Sequence, residues 1–384
     1  MSDIQTLDHT RLQRIAYNAM LARGLEPDFL PLALAELENM HASQPIVGPQ
    51  VHDLRALSWI SIDNDDSRDL DQLTVAQLNV QSNLQAHEHS NPDGVVNILV
   101  AIADVEALVK KGSALDEHAR HNTTSVYTVA QIFPMLPEKL STDLSSLNFN
   151  EDRHAIVIDM AFSNDGELES SDIYLALVRN KAKLSYNSLA PWLEGKAPAP
   201  TGLQNHPELE NNLRLQDAVA QKLKTRRHTN GALDLQTIED FMIAANSVSA
   251  RYLSSHGFLS IRRVVRDPKH WDRLVELAAE HGFALPSTPD PKALERFLET
   301  AKTNDQLRFP DISLSVIKLL GSGEYVFQLP GSQSTGHFGL ALKDYGHATA
   351  PWEKTLPRKL SGTSQSLQPP SCSLAEQAKF LTHL

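Results

Sequence analysis

An acidic run is the densest group of potentially catalytic side chains in this chain of 384 residues. Five aspartates fall within nine positions, and carboxylates this close raise one another's pKa values unless a cation or water screens them. Three converging carboxylates suit one or two divalent cations, and Mg²⁺ prefers hard oxygen ligands, with water and substrate phosphate completing its octahedron. The run consists of Asp63, Asp65, Asp66, Asp69 and Asp71.

The neighbours of the run predict how these carboxylates are placed. Apolar residues alternate on both sides of it, as they do in strands, so the run joins two buried elements. If Asp69 and Asp71 are extended, their side chains point the same way while Leu70 points to the core. Asp63 can meet them after the polar turn NDDSR, so that three carboxylates project into one pocket.

Spacing alone leaves other interpretations open. A calcium-binding EF-hand loop that began at Asp63 would need glycine at position 68 and glutamate at position 74, where the sequence has Arg68 and Thr74. A solvated acidic turn would produce the same cluster, and so would a metal site without hydrolytic chemistry. Choosing between these interpretations requires the motifs found elsewhere in the sequence.

The elements that position the run are predicted from hydrophobic spacing. Strand-length apolar runs alternate with turns over about residues 59–178, and helical spacing returns after them. This order predicts an α+β fold, a mixed β-sheet core surrounded by helices. The expected parts are a short helical N-terminal region at 1–50, the main domain at 51–351, and a divergent tail at 352–384 too poor in apolar residues to order itself. The expected strands lie at 73–78, 96–104, 155–162 and 173–178.

Composition and charge exclude several classes of protein. Hydrophobic residues make up 41% and charged residues 21% of the chain, as in a globular protein rather than a disordered one. The net charge of -12 argues against overall positive charge as the means of holding nucleic acid, although a basic stretch at 251–273 could be a local channel or a solvated helix face. No apolar stretch suits a membrane span. With Cys372 as the only cysteine, we expect no disulfide and a cytoplasmic location.

Several further motifs follow the acidic run in an order that gives the chain a family resemblance. They are a turn-rich block at 103–153, RNKAKLSYNSLAPWL at 179–193, DFMIAANSVSARYL at 240–253 and GHFGLALKDYGHATAP at 336–351. Together with the aspartates, they resemble the catalytic domain of the ribonuclease II (RNB) family of processive exoribonucleases. The resemblance covers roughly residues 50–351, and it implies the fold and activity of that family.

The resemblance implies roles for individual side chains of the metal site. Asp63, Asp69 and Asp71 match the family's metal-binding aspartates, and Asp71 matches the one most closely tied to hydrolysis. Mg²⁺, with Mn²⁺ as a substitute, is therefore the expected cofactor. Such an ion polarises a phosphate and lowers the pKa of bound water, which makes hydroxide available for in-line attack at neutral pH.

The resemblance also implies RNA-binding residues. Tyr127 lies where the family stacks an aromatic ring on a nucleotide near the 3′ end, and stacking of this kind accepts any base at about 1–3 kcal/mol per base. Tyr186 matches a catalytic tyrosine beside the scissile phosphate. Glu239, with Asp240 as the neighbouring alternative, matches an acidic residue that opens a core helix and helps hold the terminal nucleotides.

Three departures from the family pattern predict weakened function. Gln72 replaces the fourth aspartate that usually follows Asp71, and a carboxamide supplies less charge to hold a metal. The stretch GALDLQTIEDFM lacks a β-hairpin that the family normally has. Glu353 stands where an arginine is expected to clamp the scissile phosphate, and the chain beyond it looks truncated or divergent.

We therefore predict a Mg²⁺-dependent 3′–5′ exoribonuclease that hydrolyses single-stranded RNA to 5′-monophosphates, with impaired activity or processivity. Its predicted catalytic residues are Asp71, Tyr186 and Glu239, and we expect no membrane and no obligate protein partner. One alternative is an RNA-binding or regulatory module that has lost turnover. The other is a hydrolase of small phosphoesters or other esters, although the sequence has no G-x-S-x-G elbow of serine esterases.

Overall fold

Apolar strands form the centre of the molecule, and helices surround them. The computed structural model describes residues 2–41, 50–78, 95–233, 240–329, 331–332 and 334–350. The strands are β1 (His52–Asp53), β2 (Ile60–Asp63), β3 (Gln72–Leu78), β4 (Val96–Ala103), β5 (Val126–Tyr127), β6 (Ile132–Phe133), β7 (Asp152–Phe162), β8 (Leu168–Arg179), β9 (Ala182–Ser185), β10 (Ser260–Val264) and β11 (Glu324–Gln328). The helices are α1 (Ser2–Ala22), α2 (Pro31–Glu38), α3 (Ala114–Asn122), α4 (Tyr186–Leu193), α5 (Pro207–Thr229), α6 (Asp240–Ser255), α7 (Trp271–Glu280), α8 (Pro291–Asn304) and α9 (Phe309–Leu320).

Seven strands form one mixed sheet in the order β1-β8-β7-β4-β3-β2-β9. The central pairs are antiparallel, whereas β1 pairs with β8 and β2 pairs with β9 in parallel at the two edges. The strands β5 and β6 form one small antiparallel sheet, and β10 and β11 form another. The four strands expected from the sequence lie in β3, β4, β7 and β8, so the α+β prediction is confirmed.

The large sheet is buried on both faces, which explains why most residues of its central strands are apolar. Ile98 and Val100 of β4 pack with α5 and α6 on one face. Leu99 and Ala101 of the same strand face the other way and pack with α2 and α3. Successive side chains of a strand point to opposite faces, and burying each valine, leucine or isoleucine contributes roughly 1.5–3 kcal/mol.

The N-terminal helices are fixed to the sheet domain by polar and apolar contacts. Ala33 of α2 is fully buried in the core that α3 shares. The backbone N–H of Glu26 donates to Asn122 Oδ1 at 2.8 Å, and Asn122 Nδ2 donates back to the Glu26 carbonyl at 2.7 Å. No helix among the described residues is both long and apolar enough to cross a bilayer.

The helices α7, α8 and α9 enclose a second core with Trp271, Leu294 and Val316 at its centre. The helix α8 has a well-defined start, because the Asp290 side chain accepts hydrogen bonds from backbone N–H groups of the first turn and Pro291 occupies the first helical position. This core shares no residues with the core that the sheet forms with α5 and α6. The two cores meet where α5 contacts α8.

The basic stretch at 251–273 runs from the end of α6 through β10 into α7. Arg262 on β10 is only 1% exposed and donates to the Ala250 carbonyl at 2.5 Å, while Arg263 lies 4.8 Å above the ring of Tyr325. The interpretation as a solvated helix face is therefore wrong for Arg262 and Arg263, which lie on a strand, whereas Arg251 on α6 and Arg273 on α7 are exposed helical residues.

Candidate active site

The acidic run forms the connection between β2 and β3 at one end of the large sheet. The two strands are antiparallel and pair at Ile60 and Thr74. Asp63 is the last residue of β2 and Asp71 immediately precedes β3, so the run spans the interval between the two strands. The backbone N–H of Ala103 on β4 donates to the Asp71 carbonyl at 2.9 Å, so the backbone of Asp71 is fixed at the sheet.

Leu70 anchors the residues on either side of it. Its side chain is 2% exposed and lies in the core on the α2–α3 face of the sheet, as the sequence predicts. Its N–H donates to the buried Ser146 hydroxyl at 3.0 Å, and its carbonyl accepts from the Leu147 N–H at 2.9 Å. These contacts hold Asp69 and Asp71 in place on both sides of a buried residue.

The electrostatics of Asp63 indicate that its carboxyl group interacts with that of Asp69. Burial raises the pKa of the Asp63 carboxyl to about 7, the neighbouring charge of Asp69 adds to the rise, and Lys183 opposes it. Lys183 is itself held, since its Nζ donates to the Ser67 carbonyl at 2.5 Å. A second positive charge at this position would relieve the repulsion between the carboxylates.

The donor set fits a hard divalent cation. Asp63, Asp69 and Asp71 offer only oxygen atoms, and Oδ1 of Asp71 is shielded from solvent. Mg²⁺ and Mn²⁺ prefer ligands of this kind, whereas softer metals prefer nitrogen or sulfur. The three aspartates stay the predicted ligands of such an ion, although the group of three metal-binding side chains that the structure brings together among the described residues lies elsewhere.

The other two aspartates of the run have different surroundings. Asp65 accepts hydrogen bonds from Ser185 and Asn187, which lower its pKa, and Asp66 is exposed. Because Ser185 and Asn187 flank Tyr186, Asp65 fastens the acidic loop to the start of α4. Sequence reasoning missed this role, since it depends on the parallel pairing of β2 with β9, whose residues lie more than a hundred positions apart in the chain.

Tyr186 lies beside the acidic run and faces a cleft. The register of β2 on β9 pairs Asp63 with Ser185, so the first residue of α4 follows directly. The cleft has a volume of about 440 Å³. Within the described chain the three aspartates do not line it, but Gln72, next to Asp71, does. The other lining residues include Ile60, Ile62, Thr74, Tyr186, Leu189, Leu193, Asp240, Phe241 and Met242.

Asp240 is the first described residue of α6 and lines this cleft, whereas the predicted Glu239 lies outside the described residues. Asp240 is 7% exposed, and Arg227 Nε donates to its Oδ1 at 2.7 Å. Burial raises the pKa of Asp240, while the charge of Arg227 counteracts this rise. Asp240 is therefore a buried acidic group in the cleft, and it is the residue that the sequence offers as the alternative to Glu239.

Tyr127 lies on the small sheet of β5 and β6, where it pairs with Ile132. Its side chain is 58% exposed, and Val129 and Ile132 nearby are 94% and 53% exposed. Three exposed apolar side chains on one short hairpin form a surface on which a planar base could stack. The Met135 N–H donates to the Ser125 hydroxyl at 3.0 Å across the base of the hairpin, and the buried Met135 side chain attaches the hairpin to the core of the sheet domain.

Gln72 connects β3 to the last part of the described chain. Its Nε2 donates to the Thr349 carbonyl at 2.8 Å, and Asn246 on α6 donates to the Thr349 hydroxyl at 3.1 Å. Asn246 Oδ1 also accepts from the Ala348 N–H at 2.6 Å. The amide nitrogen of Gln72 thus has a structural use that an aspartate could not have. Glu353, the shortened GALDLQTIEDFM stretch between 234 and 239, and the predicted tail at 352–384 lie outside the described residues.

Comparison with known proteins places this arrangement in a family. The chain matches the RNB domain over residues 51–354. Ribonuclease R of Vibrio parahaemolyticus is 31% identical over 333 residues, which are 78% of this chain and 37% of the relative. The chain spans less than half the length of the curated relatives that it matches.

Solved structures agree with the fold. RNase R of Mycoplasma genitalium in complex with double-stranded RNA has a TM-score of 0.73 at 23% identity, covering 87% of this chain and 61% of that one. Yeast Ssd1, described as a pseudonuclease, has a TM-score of 0.60 at 15% identity, covering 81% of this chain and 40% of the other. Since the RNB match extends over most of the sequence, the chain belongs to the RNB domain family.

Proposed function

We propose that this protein is a Mg²⁺-dependent exoribonuclease that shortens single-stranded RNA from its 3′ end and releases 5′-monophosphates. The observation that supports the proposal is the interaction of the partly buried Asp63 carboxyl with Asp69, in an acidic run whose end at Asp71 is fixed to the sheet. Mn²⁺ has the same ligand preference and is expected to substitute. The cytoplasmic location expected from the sequence stays a prediction.

The side chains of the site have distinct parts in this chemistry. A bound divalent ion supplies Lewis acidity at the phosphate and a water of lowered pKa. Asp71, whose backbone is fixed by β4 and whose neighbour Leu70 is buried, offers a rigid carboxylate. Asp63 has a raised pKa and therefore binds a cation most readily once it has lost its proton, which ties activity to neutral or higher pH.

The proposed path of the RNA follows the cleft beside Tyr186. Its mixed apolar and polar lining suits unstacked bases better than a rigid duplex. Tyr186 next to Asp63 is suitably placed to contact the scissile phosphate, and Tyr127 offers an exposed ring for stacking. The place of Asp240 in the cleft supports the alternative assignment, in which Asp240 is the acidic residue that holds the terminal nucleotides. Glu239 stays the first candidate for this role.

We expect turnover to be weaker than in family members with a fourth aspartate. Gln72 brings no charge to the metal, and its amide nitrogen is occupied by the Thr349 carbonyl. Processivity is also expected to be low if Glu353 stands where phosphate must sit, since a carboxylate repels an anion.

A second candidate function is an RNA-binding or regulatory module without turnover. Gln72 and the fold shared with the yeast pseudonuclease Ssd1 favour it. A hydrolase of small phosphoesters is a third candidate, supported by a cleft of about 440 Å³ that would admit a single nucleotide. A 5′-labelled oligoribonucleotide separates these functions, because binding without shortening indicates the module, and release of phosphate from small esters alone indicates the third.

The decisive variant is Asp71→Asn, which keeps the shape of the side chain and removes its charge. We expect RNA shortening to fall by orders of magnitude while RNA binding persists. Asp66→Asn is the matched control, because Asp66 is an exposed aspartate of the same loop and its loss should leave the rate unchanged. Equal rates for Asp71→Asn and the parent would exclude the proposed centre.

A further inference from the structure

A second group of metal-binding side chains lies where α5 meets α8. His228 is near the end of α5, and Glu295 and Glu299 are one turn apart on α8. One ligating atom from each of the three residues lies within 4.8 Å of the others. His228 Nδ1 is 2.7 Å from Glu295 Oε1.

The burial of Glu295 makes this group unlike a surface ion pair. Glu295 is only 3% exposed, whereas Glu299 is exposed and His228 lies between them in accessibility. An ionised carboxylate at that depth is costly unless a cation or several hydrogen bonds compensate it. Glu299 at the surface leaves the group reachable from solvent through a cleft of about 860 Å³.

Positive side chains also line this cleft, and some of their contacts lie outside the group of His228, Glu295 and Glu299. Arg296 Nε donates to the Lys292 carbonyl of its own helix, and the stem of Lys292 lies against Gly231. The charge of Lys224 lowers the pKa of Asp240, so it acts on the neighbouring cleft. The carboxyl group of Asp290 is engaged with the first backbone N–H groups of α8.

We propose that His228, Glu295 and Glu299 bind a first-row transition-metal ion, with Zn²⁺ as the preferred occupant. One imidazole and two carboxylates are a donor set that suits Zn²⁺, which accepts nitrogen and oxygen together and leaves a fourth position for water. Mg²⁺ prefers oxygen ligands alone and is expected at the aspartates instead. The two metal sites therefore select different ions.

A metal at this position would connect the two cores of the molecule. The helix α5 packs on the sheet through Val219, whereas Leu294 and Leu298 of α8 belong to the core of the C-terminal helices. Gln221 and Lys224 of α5 line both this cleft and the one beside Tyr186. Binding of the ion should therefore stabilise the whole described chain and hold one wall of the proposed RNA cleft.

Calorimetric titration of the full chain with Zn²⁺ tests the proposal. The titration is carried out in excess Mg²⁺, which occupies the aspartates, and we expect one equivalent of Zn²⁺ to bind and to raise Tm by a few degrees. His228→Ala should abolish both effects. The matched control is His206→Ala, because His206 forms the same kind of pair with Glu208 at 3.0 Å but on the exposed surface.

A second variant guards against loss of folding. Glu299→Gln changes an exposed residue, so the chain keeps its far-UV circular dichroism spectrum while its Zn²⁺ affinity falls at least tenfold. Co²⁺ in place of Zn²⁺ should give visible d–d absorption that Glu299→Gln and His228→Ala lose and His206→Ala keeps. Absence of stoichiometric Zn²⁺ binding, or equal binding by His228→Ala and His206→Ala, would overturn the proposal. These readouts do not depend on RNA hydrolysis, so they stand apart from the proposed nuclease activity.

Discussion

Replacing Asp63 with asparagine should make the metal-free protein more stable, and the gain should grow with pH. The reason is that the Asp63 carboxyl is held with a pKa of about 7, against an ordinary value of 3.8, by burial and by the neighbouring Asp69. A folded-state pKa above the unfolded value means that the protonated form stabilises the fold. That contribution is complete below the unfolded pKa and is lost as the pH rises through about 7.

The size of the effect follows from the two pKa values. The interval from 3.8 to about 7 corresponds to about 4 kcal/mol at roughly 1.4 kcal/mol per pKa unit. Solvent reaches part of the Asp63 side chain, so we expect about 2–4 kcal/mol at pH 8. Asparagine cannot ionise, so Asp63→Asn avoids this loss at every pH.

Urea unfolding in the presence of a chelator measures the difference between Asp63→Asn and the parent from about pH 4.5 to pH 8. We expect the advantage of the variant to be about a quarter as large at the acidic end as at pH 8. Added Mg²⁺ at pH 8 should stabilise the parent and narrow the gap, because the ion takes the place of the proton. Asp66→Asn is the matched control, because Asp66 is an exposed aspartate of the same loop. A gap for Asp63→Asn that stays constant with pH would refute the reasoning.

Three further outcomes are expected. Tyr127→Ala should weaken RNA binding by about 1–3 kcal/mol, while Tyr127→Phe keeps the ring and the affinity. Titration with a labelled oligoribonucleotide measures both affinities, and equal affinities for the two variants would contradict stacking on Tyr127. The pKa of His337 is lowered to about 4, chiefly by burial and then by Arg263, so the parent should lose up to about 3 kcal/mol as the pH falls from 6.5 to 4. In denaturant unfolding, His337→Gln should not lose stability over this pH range. If the variant and the parent showed the same dependence of unfolding free energy on pH, the burial of a neutral His337 would not be its cause. Asn180→Ala should lower the free energy of unfolding by about 2–4 kcal/mol, because the buried amide forms hydrogen bonds with the Ser61 hydroxyl and two backbone groups. A loss below about 1 kcal/mol would show that water takes the place of the amide.

Much of the fold and part of the site can be predicted from the sequence because they depend on local spacing. The strands at 96–104 and 155–162 are mostly apolar runs of strand length, and the start of α8 is specified by Asp290 followed by Pro291. The alternation of Asp69, Leu70 and Asp71 was sufficient to predict which residue is buried. The order of the motifs was sufficient to predict the family.

Other features of the protein are decided only by tertiary structure. All five aspartates of the run look alike in the sequence, but the parallel pairing of β2 with β9 assigns Asp65 to the start of α4 and leaves Asp63 beside Asp69. Packing of α5 on α8 brings His228 to Glu295 across more than sixty residues. Contacts of this kind depend on which surfaces are buried together, and hydrophobic periodicity along one segment carries no information about its distant partner.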